Sequence, residues 1–166
     1  MVTKVSDVKN IVKNGIQNPK SVFSQIRQMA ESEDWKIREV AATALVEISK
    51  KKTDEVVEEM SNWAKDSNPN VRRTASEGLR DVARKNPDKV IAVLDKLKTD
   101  KDIYVKKSVA NVLRNATRNS AEFVLNICLK WALLKNPDTN WIIKDGLRKA
   151  KTTNSKEVER ILKSLA

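Results

Sequence analysis

Ser67-Asn68-Pro69-Asn70-Val71-Arg72-Arg73-Thr74-Ala75-Ser76-Glu77-Gly78-Leu79-Arg80 reads as a polar turn followed by the start of a helix carrying three arginines and one glutamate. An Asn-Pro pair opens a helix well: Asn accepts from the free amides of the first turn, and Pro has no amide to satisfy. The same turn-then-basic-helix pattern returns at Ile37-Arg38, Val71-Arg72, Val105-Lys106 and Ile143-Lys144, at spacings of 34, 34 and 38 residues. The longer spacing places four extra residues around Asn136-Pro137-Asp138. Each apolar start is followed four residues later by Ala41, Ala75, Val109 or Leu147. Three further on come Ala44, Gly78, Val112 or Ala150. Small and apolar residues at this spacing form a narrow packing face on one side of a helix.

A second kind of helix lies between these. Its apolar face is Val22, Phe23, Ile26 and Met29, and it returns every 34 residues. The successive copies are Val56, Val57, Met60, Trp63; Val90, Ile91, Leu94, Leu97; Val124, Leu125, Cys128, Trp131; and Val158, Glu159, Leu162, Leu165. Glu159 is the polar exception, and Ile161 can fill its place. Asn18-Pro19, Asn86-Pro87 and Ser120 are the expected starts. Ahead of them, Val8, Ile11 and Val12 predict a capping helix over about residues 6–15, with Asn14-Gly15 as its stop. Helix pairs at a fixed period cannot bury their faces alone and must stack on one another. The chain is therefore expected to form one all-α domain over residues 1–166, an α-solenoid with repeats over about 18–166.

Composition agrees. Three Gly and four Pro are few helix breakers, and the charged and aromatic fractions of 33% and 4% suit a thin structure rich in surface. The net charge of +11 favours a polyanionic partner, nucleic acid above all, with an acidic protein or an anionic membrane as the alternatives. The absence of histidine removes the commonest general base and metal ligand. With Cys128 as the one cysteine, neither a zinc site nor a Ser-His-Asp or Cys-His arrangement can be built. No metal or cofactor is expected. The single cysteine suits a reducing compartment, and neither a membrane span nor a secretory signal is visible. A cytoplasmic monomer is the expectation.

Candidate binding residues come from the faces left over by packing. Arg38, Arg72, Lys106 and Lys144 follow the helix starts and read as ties between adjacent turns. The next position is Glu39, Arg73, Lys107 or Asp145; four residues on come Thr43, Glu77, Asn111 or Lys149; then Val46, Arg80 or Arg114. Residues at i, i+4 and i+7 share one helix face. The two middle repeats thus offer Arg73, Glu77, Arg80 beside Lys107, Asn111, Arg114. Such a strip holds phosphates through charge and guanidinium forks, or is a solvated face with pairs such as Arg73–Glu77. Trp63, Trp131 and Cys128 align with core positions. Trp35 and Trp141 each stand two residues before a helix start, with Tyr104 at a similar place. They either pack in the turns or stack on a base.

The Asp/Asn-rich turn, the apolar-basic pair and the alanine four residues on resemble HEAT repeats in a short form. The Trp-x-x-Leu-Gly-x-x-Tyr pattern of tetratricopeptide repeats is absent. Three segments resemble the HEAT-like-repeat alkylpurine DNA glycosylases of the AlkC/AlkD superfamily. They are Asn70 to Arg80, Tyr104-Val105-Lys106-Lys107-Ser108-Val109-Ala110-Asn111, and Trp141-Ile142-Ile143-Lys144-Asp145-Gly146-Leu147-Arg148. They stand in the family's order over about Asp34 to Arg148. The resemblance implies a right-handed superhelix of four to five HEAT-like repeats whose basic concave face, lined by the second helices, cradles duplex DNA. It also implies hydrolytic excision of N3- and N7-alkylated purines, with Glu77 as the matching catalytic carboxylate. Phosphate contacts would come from Arg73, Arg80, Lys107, Arg114 and Lys149, a hydrogen bond from Asn111, and lesion contacts from Trp35, Tyr104 and Trp141. Thr43 stands one repeat before Glu77, where the AlkC branch would present a second glutamate. A non-catalytic HEAT-like adaptor for an acidic protein is the alternative.

Overall fold

Four turns of the chain share one capping device. In the computed structural model, which describes residues 6–165, the side chains of Asp34, Asn68, Asp102 and Asn136 each accept a hydrogen bond from the backbone N–H two residues on, at 2.9 Å. Each holds extended backbone and satisfies an amide that the first helical turn leaves free. These four caps are spaced by 34 residues throughout.

That spacing corrects the register read from sequence. The fourth basic-type helix starts at Pro137, behind its Asn136 cap, and not at Ile143. No four-residue insertion exists. Thr139 occupies the buried place of Val71 and Val105, and its hydroxyl is satisfied by donating to the Lys98 carbonyl at 2.8 Å. A buried polar residue with its own partner costs little, and it is invisible to an apolar template.

The elements run α1 (Ser6–Gln17), α2 (Lys20–Ala30), α3 (Trp35–Ser49), α4 (Thr53–Trp63), α5 (Pro69–Glu77), α6 (Arg80–Lys85), α7 (Ile91–Leu97), α8 (Ile103–Ala132), α9 (Pro137–Gly146) and α10 (Ser155–Ser164). Short 3-10 turns occupy Pro87–Lys89 and Ala150–Thr152. Ser120, at φ −146° and ψ 58°, breaks α8 into two arms that belong to different helix types. Among the described residues there is no strand, and no helix is long and apolar enough to cross a membrane. The architecture is an α-solenoid.

Two further expectations change. The capping helix continues through Asn14-Gly15 to Gln17. Gly15 is buried where a Cβ would collide with the δ-methyl of Ile48, so it is a packing glycine rather than a stop. Asn18 and Asn86 make no side-chain cap; α2 follows Pro19 directly, and Pro87 opens the 3-10 turn that precedes α7.

One cluster of buried side chains runs from Ile11 to Leu165. It contains the repeating apolar template, with Ile161 buried in the place left by exposed Glu159. The basic-type helices stack in order, α3 on α5 and α6, these on α8, and α8 on α9. Glycines let them approach: a Cβ on Gly78 would sit 3.0 Å from Leu45 Cβ, and one on Gly146 would sit 2.7 Å from Leu113 Cδ1.

Ion pairs tie neighbouring repeats together. Arg72 donates to Asp100 at 2.7 and 3.2 Å and to the carbonyls of Asp66 and Ser67. Lys106 reaches Asp138 at 2.9 Å, and Arg27 reaches Asp66 at 2.7 Å. Arg38 donates to the carbonyls of Ser32 and Glu33. The recurring basic residue is therefore a structural tie in the first three repeats. Asn140 takes that place in the fourth, and Lys144 is exposed elsewhere.

Candidate nucleic-acid interface

With the register set by the caps, four residues align on the first turn of the outward strip: Glu39, Arg73, Lys107 and Trp141. The next turn carries Thr43, Glu77, Asn111 and Asp145, and the third Val46, Arg80, Arg114 and Arg148. Asp145, not Lys149, is the fourth-repeat counterpart of Glu77. Lys149 is exposed at the start of the 3-10 turn, in register with Asp81 and Asn115. Trp141 lies inside α9, half-buried against the core, with the Lys106 ammonium 5.7 Å from its ring centre. It therefore belongs to the strip and not to a turn.

The strip is a ladder that crosses repeats. Arg80 Nη1 lies 3.2 Å from Glu39 and 3.5 Å from Glu77. Asn111 donates to Glu77 Oε2 at 3.2 Å, and Asn115 in turn donates to the Asn111 carbonyl at 2.9 Å. Arg114 pairs with the Asp145 carboxylate at 2.6 Å and its carbonyl at 3.1 Å, and Arg148 adds a second contact to Asp145 at 3.2 Å. Arg80, Asn111 and Arg114 are thus engaged within the protein, holding carboxylates in place. Among the described residues, Arg73 and Lys107 make neither a hydrogen bond nor an ion pair through their side chains. On the turns of the strip that carry Glu77 and Asn111 and the turns before them, they are the cations left to face a ligand.

Glu77 is 8% exposed, which is rare for a carboxylate. Burial pushes its pKa up, while the charges of Arg73 and Arg80 and the hydrogen bond from Asn111 pull it down; Glu39 raises it further. The result is a desolvated carboxyl group held by an arginine and an amide. In such surroundings its charge acts over a lower effective dielectric than in water.

Trp35 and Tyr104 are exposed, at the starts of α3 and α8, and the Lys107 ammonium lies 5.5 Å from the Tyr104 ring centre. One turn beyond Arg80 and Arg114, at i+11 from Arg73 and Lys107, stand Arg84 and Arg118. Continuing the i, i+4, i+7 series by one step finds them in the sequence. Finding Asp145 requires taking the register from the Asp/Asn caps instead of the Ile143-Lys144 pair.

The HEAT repeats family model matches residues 23–114, more than half of the chain. The chain belongs to the HEAT repeat family. Among solved structures, this HEAT-repeat chain is similar to AlkC- and AlkD-type proteins. It superposes on Pseudomonas fluorescens alkylpurine DNA glycosylase AlkC, bound to DNA containing an abasic site analog, with a TM-score of 0.79 and 26% identity. That match covers 93% of this chain but 44% of AlkC, so the HEAT-repeat chain spans less than half the length of that relative. AlkD2 from Streptococcus mutans matches with a TM-score of 0.67 and 26% identity, over 89% of this chain and 83% of AlkD2. The protein smu.31 from Streptococcus mutans UA159 matches equally well, over 89% of this chain and 85% of its own. No curated protein matches the sequence.

Proposed function

We propose that the chain binds duplex DNA through the strip of its basic-type helices and excises alkylated purines there. Arg73 and Lys107 hold phosphates, with Arg118 extending the track, and Glu77 faces the lesion. The observation that carries this reading is the buried Glu77 carboxylate, clamped by Arg80 and Asn111 beside the charge of Arg73. The likeness to AlkC, which was seen on DNA, supports the choice of polyanion.

The chemistry asks little of the protein. A purine alkylated at N7 or N3 is cationic and leaves as a neutral base when the C1′–N9 bond breaks and its electron pair moves to the ring. The sugar is left as an oxocarbenium ion, water adds at C1′, and the proton passes to solvent. A preorganised carboxylate beside the sugar lowers that barrier because the positive charge develops next to a fixed negative one. Arg80 and Asn111 are positioning residues that keep Glu77 from rotating away.

The test is single-turnover release of methylated purine from duplex DNA, run beside duplex binding across a salt series. The reading expects release by the wild type, loss of release in Glu77→Gln, and affinity that falls steeply with salt. Release unchanged in Glu77→Gln removes Glu77 from the mechanism. Salt-independent affinity, or binding to an acidic polypeptide with none to duplex, overturns the reading as a whole.

A further inference from the structure

A groove of about 420 Å³ opens between α1 and α3, lined by Val8, Trp35, Val40, Thr43, Glu39 and the stems of Lys9 and Lys36. Its volume falls in the range of roughly 300–1,000 Å³ usual for small-ligand sites. The DNA strip described above makes no use of its interior. Three features of the groove point to one kind of occupant.

The first is the wall. Trp35 is 63% exposed, although a tryptophan with no partner ordinarily buries most of its ring. Its companion in the structure is the Lys36 ammonium, 6.0 Å from the ring centre, a long and solvated contact. A flat ring placed on the indole would replace that contact and free the ammonium for an anion. The second is charge: Lys9 and Lys36 bring two ammonium groups to the groove, and the one carboxylate in its lining, Glu39, is paired with Arg80. A ligand that is aromatic at one end and anionic at the other fits both. The third is continuity. Glu39 and Thr43 line the groove and also stand on the strip, in the columns of Arg73 and Glu77, and Glu39 is joined to Arg80. A strand tracked by Arg73 and Lys107 therefore arrives at this groove one repeat further on.

We propose that the α1–α3 groove binds one unpaired nucleotide of the DNA strand, its base stacked on Trp35 and its phosphate held by Lys36 and Lys9. The inference rests on the DNA-binding reading above and adds a subsite to it. Stacking of a base on an aromatic side chain is worth about 1–3 kcal/mol, which corresponds to roughly 5- to 150-fold in affinity.

The experiment compares two duplexes that differ by one extrahelical nucleotide, followed by intrinsic tryptophan fluorescence. Trp63 and Trp131 are 3% exposed, and half-buried Trp141 on the strip meets both duplexes alike, so the difference in quenching between the two duplexes reports on Trp35. The duplex with the unpaired nucleotide is expected to bind at least 5-fold more tightly and to quench more strongly. Trp35→Leu should erase both differences while leaving binding to the fully paired duplex within 2-fold. Trp35→Phe, which keeps a stacking surface, should restore part of the affinity difference. Equal affinity of the wild type for the two duplexes, or a preference that survives Trp35→Leu, overturns the subsite and leaves the DNA-binding reading standing. No binding to either duplex overturns both.

Discussion

Asn111 of α8 donates its side-chain amide to the carboxylate of Glu77 in α5 at 3.2 Å, one full repeat away in sequence. The bond joins the two middle repeats at the centre of the strip. It also holds a carboxyl group where burial raises its pKa. The sign of the resulting linkage follows. A carboxyl group with a raised folded pKa binds more protons in the native than in the unfolded chain between the two values. Its ionisation therefore costs stability, in full above the folded pKa and not at all below the unfolded one. Glu77→Gln keeps an acceptor for Asn111 and removes the charge. It should raise the melting temperature at pH 7. The difference should close as pH falls through the raised pKa. Thermal melts of the two proteins across pH 4–8 check it, and a variant less stable than wild type at pH 7 would contradict it.

Arg73 and Arg80 sit on the same strip and should behave differently. Among the described residues Arg73 makes no direct pair, but its charge favours the buried Glu77 carboxylate, so Arg73→Ala should lower the melting temperature at pH 7 only modestly, and by less than Arg80→Ala. It should lower the slope of log affinity against log salt by about 1, the loss of one phosphate contact. Lys107→Ala should do the same. Arg80 stands between Glu39 and Glu77, and removing it leaves a buried carboxylate without its cation. Arg80→Ala should destabilise the fold by about 1–3 kcal/mol through loss of a charged hydrogen-bond partner. Melts and salt-titrated binding on the same proteins separate the two kinds of arginine.

Gly78 and Gly146 occupy matching places, yet their neighbours differ. A Cβ at Gly78 would meet Leu45 Cβ at 3.0 Å and the Thr74 carbonyl oxygen at 3.2 Å, neither of which moves without the backbone. A Cβ at Gly146 meets the δ-methyl of Leu113 at 2.7 Å, the far end of a side chain, and the backbone-fixed Leu113 Cβ only at 3.3 Å. Gly78→Val should therefore cost about 1–3 kcal/mol of overpacking. Gly146→Ala should lie near neutral, because the gain of about 1 kcal/mol in helix propensity offsets the crowding. Urea unfolding of both variants tests the contrast.

Cys128 takes the core place of Met60 and Leu94, fully buried, and burial pushes its thiol up to about 12. A thiol is nucleophilic only as the thiolate. Native protein at pH 8 should resist a thiol-specific reagent, and labelling should rise in step with urea unfolding. Fast labelling without denaturant would show that the second arm of α8 opens locally.

The period, the helix types and most of the core are legible in the sequence because they depend on local rules. A helix must bury one face, so apolar residues recur at helical spacing, and a stack of identical pairs must repeat them every 34 residues. The caps at Asp34, Asn68, Asp102 and Asn136 are equally local, since each acts on an amide two residues away. An apolar template alone starts α9 too late, because the buried place in its first turn is held by a polar residue. Thr139 satisfies its hydroxyl on the Lys98 carbonyl, 41 residues away, a partner that spacing along one helix does not reveal.

The candidate site divides along the same line. That Arg73, Glu77 and Arg80 share a face with Lys107, Asn111 and Arg114 is a consequence of helical periodicity, and the sequence alone determines it. Which of these cations is free is decided only in three dimensions. Arg80 is engaged because Glu39 approaches from α3, and Arg114 because Asp145 approaches from α9; among the described residues Arg73 and Lys107 meet no such partner. Glu77 is buried because α8 lies against α5, and that burial raises its pKa. Charge and desolvation act through space between repeats, whereas propensity and periodicity act along the chain.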